Sequence, residues 1–144
     1  KQTITKTKHL LYPYVYMDVS HVSEIFINII SNAIKYTNNG GVINCDISQV
    51  SGKKNGWCDV IITVKDNGNG MPETIIRQLE EIRENGILKE KEHIGIFNIQ
   101  QRLLLLYGKE YGLTVEHVKP SGTAVTICIP KTKGEKGYES GNYR

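Results

Sequence analysis

The feature that most limits what this chain can fold into is the stretch of residues 24–37, with Val22 just before it. Val22, Ile25, Phe26, Ile29, Ile30 and Ala33 recur every three or four positions, the period of an amphipathic helix that buries one face. Glu24, Asn28, Asn32 and Lys35 follow at helical spacings of their own and stack along a polar stripe. Asn is a poor residue for a helix interior, because its amide competes for nearby backbone groups. Two of them, in line with a carboxylate and an ammonium, form either a solvated face or a polar wall turned toward a metal and phosphates. The glycine loops further along the chain favour the wall.

On either side of this helix the chain alternates. Residues 3–17 are rich in β-branched and aromatic types, Val15-Tyr16-Met17 reads as a short strand, and Asp18 or Ser20 can cap the helix. Asn38-Asn39-Gly40-Gly41 is a turn signal. Ile43, Cys45 and Ile47, then Cys58, Val60, Ile62 and Val64, alternate with polar neighbours and predict a β-hairpin. Pro72 opens a second helix that Gly86 closes, and Gly95 opens a third that Gly108 closes. Between them, residues 87–94 are charged, lack a period and have glycine at both ends, as a movable lid would. A second hairpin crosses Lys119-Pro120-Ser121-Gly122. The predicted fold is α+β: a two-layer sandwich with a mixed, mostly antiparallel sheet and helices on one face. Residues 1–14 are expected to start the sheet, 15–130 to form the domain, and 131–144 to be a disordered tail.

Composition narrows the function classes. A chain of 144 residues with 39% hydrophobic and 23% charged residues can bury a single core without disulfides. No apolar run approaches the roughly 20 residues that cross a bilayer, and no signal peptide is visible. The chain begins at Lys1 and is read as a piece of a longer protein. Its net charge of +3 comes from the ends: Lys1, Lys6 and Lys8 with no acid before residue 10, and Lys131, Lys133, Lys136 and Arg144 against Glu135 and Glu139. The body is slightly acidic and carries no basic, aromatic-interleaved face, so nucleic acid is not an expected partner. Cys45, Cys58 and Cys128 are scattered and show no metal-ligand spacing, which fits small core residues in a reducing compartment.

Three further segments point to chemistry. Asp66-Asn67-Gly68-Asn69-Gly70 follows a strand directly, placing a carboxylate that can accept from an exocyclic amine beside glycines that admit close backbone approach. It matches neither GxxxxGK[ST] nor GxGxxG, so a nucleotide site here is of another type. Gly95 enters a helix whose free amides suit phosphate, with Asn98 three residues on. Ser121-Gly122-Thr123 is a tight turn beginning a strand, and its Thr hydroxyl is either structural or within reach of a ligand.

Together these segments carry a family resemblance. SNAIKYT resembles the N box, DNGNGM the G1 box, GIFN the G2 box and SGT the G3 box of the HATPase_c domain of bacterial sensor histidine kinases, within the GHKL superfamily. The resemblance spans residues 15–130 in the expected order, and GIFNIQQRLLLLYG with a short lid is similar to the LytS/YesM-like subgroup. It implies ATP and Mg²⁺ as cofactors. Asn32 matches the Mg²⁺-coordinating asparagine and Asn28 its companion one turn earlier. Lys35 matches a phosphate contact and Tyr36 a residue lying against the nucleoside. Asp66 matches the aspartate that binds the adenine amino group, and Gly68 and Gly70 the glycines of its loop. Gly95 and Asn98 match the phosphate side, and Thr123 the threonine near adenine. Two positions depart from the pattern. His93 stands where the G2 box has its first glycine, and the subgroup's proline before the N box is missing, so that VSHVSEIFINIISNAIKYT reads like an ordinary histidine kinase.

The implied activity is transfer of the ATP γ-phosphoryl group to a histidine on a separate dimerisation domain, with a response regulator downstream. The domain would be cytoplasmic and its parent membrane-anchored. His9, His21, His93 and His117 sit in no long helical hairpin, so the phosphoacceptor is not expected among them. One rival is an ATP hydrolase of the same superfamily, which carries a glutamate one turn before the Mg²⁺ asparagine; here that position is Asn28, whose amide cannot act as a base. Another is a degenerate nucleotide-binding or docking module without phosphotransfer.

Overall fold

A computed structural model describes residues 1–86 and 95–133. The elements run β1 (Thr3–His9), β2 (Val15–Tyr16), α1 (Val19–Tyr36), β3 (Val42–Ser51), β4 (Trp57–Asp66), α2 (Glu73–Asn85), α3 (Gly95–Tyr107), β5 (Gly112–His117) and β6 (Thr123–Lys133). The sheet order is β1-β3-β4-β6-β2, with β5 also paired to β6. β1 lies parallel to β3, and the other ladders are antiparallel. The expected mixed, mostly antiparallel sheet with its two hairpins is therefore present. β6 runs through Lys133, three residues into the segment read as a tail. The remainder of that segment, and the charged stretch 87–94 with His93, lie outside the described residues.

The period of two decides which side of the sheet is covered. Register sets Cys45 opposite Val64, Val64 opposite Val125, Ile62 opposite Ile127 and Val60 opposite Ile129, so one face is continuously apolar. Ile25, Ile29 and Ala33 of α1, Leu79 and Ile82 of α2, and Phe97 and Leu103 of α3 close over it. Phe97 is wholly buried, and its burial contributes about 2–3 kcal/mol. A smaller cluster of Cys58, Val60 and Ile62 is covered by Val22 and Phe26 of α1 together with Tyr12 and Val15. The opposite face is polar, paired by Thr5–Asn44, Thr7–Asp46 and Thr63–Thr126 hydrogen bonds. Burial pushes the Cys45, Cys58 and Cys128 thiols up, which disfavours the nucleophilic thiolate.

Both ends of α1 are closed. Asp18 is its N-cap, accepting from the His21 amide at 3.0 Å. At the C-terminus, Gln2 Nε2 donates to the carbonyls of Ile34 (3.2 Å) and Thr37 (2.8 Å), and the Asn69 amide donates to the Tyr36 carbonyl at 3.2 Å. Carbonyls that a helix end leaves orphaned thus find partners in β1's approach and in the glycine loop. The His21 amide, chiefly, holds the Asp18 carboxyl below its ordinary 3.8. A depressed carboxyl contributes stability that is present above the unfolded value and lost as pH falls through the folded one. Asp18→Ala should lower the melting temperature at pH 7, and the deficit should shrink toward zero in scans taken below pH 3.8.

Candidate functional site

A cavity of about 450 Å³ opens between α1, α2, α3 and the end of the sheet where β4 and β6 meet the helices. That volume is in the range of small-molecule sites. Strand alternation builds its floor. Asp66 lies two residues beyond Val64 on β4, and Thr123 two residues before Val125 on β6, so both fall on the helix-covered face. They are also neighbours across the ladder, one step past Lys65↔Ala124. Asp66 is buried, and its Oδ1 accepts from the amides of Gly68 (2.9 Å) and Thr123 (3.3 Å). The carboxylate is thereby fixed in orientation, with Oδ2 making no hydrogen bond among the described residues. A buried carboxylate with an uncommitted oxygen on an otherwise apolar floor suits a ligand N–H donor.

The loop after Asp66 is held from several sides. Asn67 Oδ1 accepts from the Val42 amide at 2.8 Å, and the Asn67 amide donates back to the Val42 carbonyl at 3.3 Å. Gly68 is a position of close approach: a Cβ there would stand 2.3 Å from the Tyr36 carbonyl oxygen. Any side chain would push the loop off the end of α1. His117 Nε2 and Glu73 Oε2, 2.9 Å apart, join β5 to the first residue of α2.

Of the residues that the sequence singles out, Asn32, Lys35, Tyr36, Asp66, Gly70, Gly95 and Thr123 line this cavity. Asn32 is half-buried and makes no side-chain hydrogen bond among the described residues. Lys35 is exposed, with its Nζ 5.2 Å from the Tyr36 ring centroid. Asn28, Gly68 and Asn98 are not among the lining residues. Asn28 is exposed one turn back, about 6 Å along the α1 axis. Asn98 follows the inward-facing Ile96 and Phe97 and is itself exposed. Glu24, at the start of the polar stripe, pairs with Arg102 of α3 at 2.8 Å and joins the two helices. The expected single polar wall is thus divided: its first turn ties helices together, and only its last two turns reach the cavity.

The sequence marks Gly122 only as part of the Ser121-Gly122-Thr123 turn, and it does not mark the apolar residues as cavity walls. Gly122 has φ of +124°, and a Cβ there would come within 2.0 Å of the Asp66 carbonyl oxygen. Its place in SGT was the available signal. Ile29, Met71, Ile75, Ile96 and Val125 supply the walls, and nothing in their local spacing separates them from ordinary core residues.

Residues 17–133 match the family described as histidine kinase-, DNA gyrase B- and HSP90-like ATPase, HATPase_c. The chain belongs to the HATPase_c family. Among the relatives of this HATPase_c chain, sensor protein LytS of Bacillus cereus is 32% identical over 110 residues, 75% of this chain and 18% of that protein. Sensor histidine kinase YesM of Bacillus subtilis is 37% identical over 99 residues, 69% of this chain and 15% of that protein. The chain spans less than a fifth of the length of either. A nucleotide-free form of the catalytic domain of histidine kinase ThkA shares the fold, with a TM-score of 0.66 and 19% identity over 92% of this chain and 82% of that one. The family match supports nucleotide binding by this chain. Among the described residues no helix is long and apolar enough to cross a membrane.

Proposed function

We propose that this chain is the ATP-binding catalytic domain of a two-component sensor histidine kinase. It donates the γ-phosphoryl group of ATP to a histidine on a separate dimerisation domain, and a response regulator takes the group onward. The reading puts the domain in the cytoplasm, with membrane attachment supplied by other parts of the parent protein. Its relatives are named a sensor protein and a sensor histidine kinase, and the observation that carries it is the buried, oriented carboxylate of Asp66 on the cavity floor. An adenine amino group can donate to the open oxygen, while Tyr36 flanks the mouth beside Lys35, whose ammonium meets phosphate oxygens. Gly95 lines the same cavity at the start of α3, where a helix N-terminus suits phosphate.

The donor set also suits Mg²⁺. Among the described residues no three His, Cys, Asp or Glu side chains gather into a metal site, and Asn32 offers a single neutral carboxamide oxygen. Mg²⁺ commonly keeps several waters and enters on substrate phosphates, needing only one or two protein oxygens. Asn32 would hold it, with Asn28 contributing if the nucleotide draws its side chain inward; when bound, the ion neutralises phosphate charge. The protein's own share is positioning the nucleotide and excluding water.

Transfer is favoured over hydrolysis by where the carboxylates are. Among the described residues Asp66 is the one acid lining the cavity, and it lies at the base end. Glu24 is engaged with Arg102, and the position one turn before Asn32 holds an amide. Among the described residues lining the cavity, no group stands ready to activate water.

Calorimetric titration with ADP and a non-hydrolysable ATP analogue, with and without Mg²⁺, tests the pocket. Asn32→Asp should raise the ratio of affinities with and without Mg²⁺ by about tenfold, because a carboxylate repels bare phosphates and attracts the ion. Adding the histidine-bearing domain should then yield phosphohistidine from ATP. Binding of nucleotide without any transfer would leave a nucleotide-holding module instead.

A further inference from the structure

Outside the cavity, one buried polar side chain stands out. Gln100 is fully buried in α3, on the stripe that otherwise carries Ile96, Ile99 and Leu103. Its amide is completely used. Nε2 donates to the carbonyls of Leu79 in α2 (3.3 Å) and Leu113 in β5 (3.1 Å), and Oε1 accepts from the Leu113 amide (2.8 Å). Arg83 of α2 donates to the same Leu113 carbonyl at 2.8 Å. A Cβ at Gly112 would stand 2.9 Å from Gln100 Oε1, so a side chain there would displace the Gln100 amide.

The position of this junction matters. Leu79 is one helical turn below Ile75, and Gln100 is one turn below Ile96, so each pair shares a helix face. Ile75 of α2 and Ile96 of α3 are wall residues of the nucleotide cavity, which α3 also lines through Gly95. Apolar packing alone lets helices slide by rotamer changes. Directional hydrogen bonds from one side chain to a helix and a strand do not.

We propose that Gln100 is a positioning residue for nucleotide binding: by bonding α3 to both α2 and β5, it fixes the separation of Ile75 and Ile96 across the pocket. This rests on the nucleotide reading above, and Gln100 touches no ligand itself.

The test compares three variants of this chain. Gln100→Met removes all three bonds. Gln100→Glu keeps an acceptor for the Leu113 amide, places a carboxylate near Arg83 and loses both donated bonds, and its fold is checked by its melting temperature. Val60→Ala loosens the smaller core cluster away from the pocket and serves as the control for general destabilisation. ADP dissociation constants are measured by calorimetry well below each melting temperature, alongside hydrogen exchange of residues 73–79 and 95–99. The expected result is ADP binding weakened by about tenfold in Gln100→Glu, as losing two buried hydrogen bonds to a wall implies. Exchange should accelerate in those two segments, with Val60→Ala changing neither. Wild-type affinity and unchanged local exchange in Gln100→Glu would overturn the proposal while leaving the pocket intact. Equal weakening in Val60→Ala would also overturn it, by reducing the effect to stability. If the wild-type chain binds no nucleotide, the functional reading fails, and unchanged exchange in the two segments still defeats the clamp.

Discussion

Asp66→Asn should abolish nucleotide binding while leaving the fold in place. Asp66 Oδ1 is committed to the Gly68 and Thr123 amides. An asparagine satisfies those two donors only by putting its oxygen there, which turns its NH₂ toward the cavity. An amino group of the base then meets a donor instead of an acceptor. The flipped amide is worse, since its NH₂ would face two backbone N–H groups. Losing a hydrogen bond to a charged acceptor and opposing two donors should weaken ADP by at least about 100-fold. The melting temperature should hardly move, because the loop's anchoring bonds survive. Near-native ADP affinity in this variant would show that the base does not rest on Asp66, and the orientation proposed for the nucleotide would go with it.

Gly122→Ala should be the most damaging small substitution for the fold. Two penalties coincide there. The backbone has φ of +124°, a region side chains rarely tolerate, and the added Cβ would lie 2.0 Å from the Asp66 carbonyl oxygen and 2.9 Å from Asn67 Cα. The neighbour is backbone held by its own bonds, so it cannot swing aside as a flexible side chain would. Strain and overlap together should cost about 3 kcal/mol or more, a drop of roughly 10 °C in melting temperature. Gly95→Ala is the informative contrast. A Cβ there meets none of the described residues within 4 Å, so thermal scans should show no loss of stability. Equal melting temperatures for Gly122→Ala and the parent chain would mean that the β5–β6 turn is free to repack away from β4.

Much of the architecture was legible because period and punctuation are local properties. Alternation in residues 43–47 and 58–64 gave the first hairpin, and Gly86 and Gly108 ended their helices as expected. Asp66, Asn32 and Thr123 were visible as candidates because each stands in a short motif at an element's end. Lateral placement was not legible. The pattern of α1 does not say that Glu24 meets Arg102, since those residues are brought together only when α1 and α3 lie side by side on the sheet. The run of four leucines at 103–106 is similar: Leu103 is wholly buried while Leu105 is 87% exposed, and sequence gives the four identical weight.

By itself, the sequence determined the order and type of the elements, the apolar face of each, and the position of the glycine loops. Those follow from backbone chemistry within a few residues: glycine and proline geometry, capping, and the periods of helix and strand. The tertiary structure alone decided which polar residues share a cavity and which tie helices together. It also decided that Asp66 is fixed by an amide 57 residues away, and that Gln100 is core rather than surface. Burial and hydrogen-bond partners at that range depend on how the layers stack, which is written in the summed packing of many side chains and in no single stretch of them.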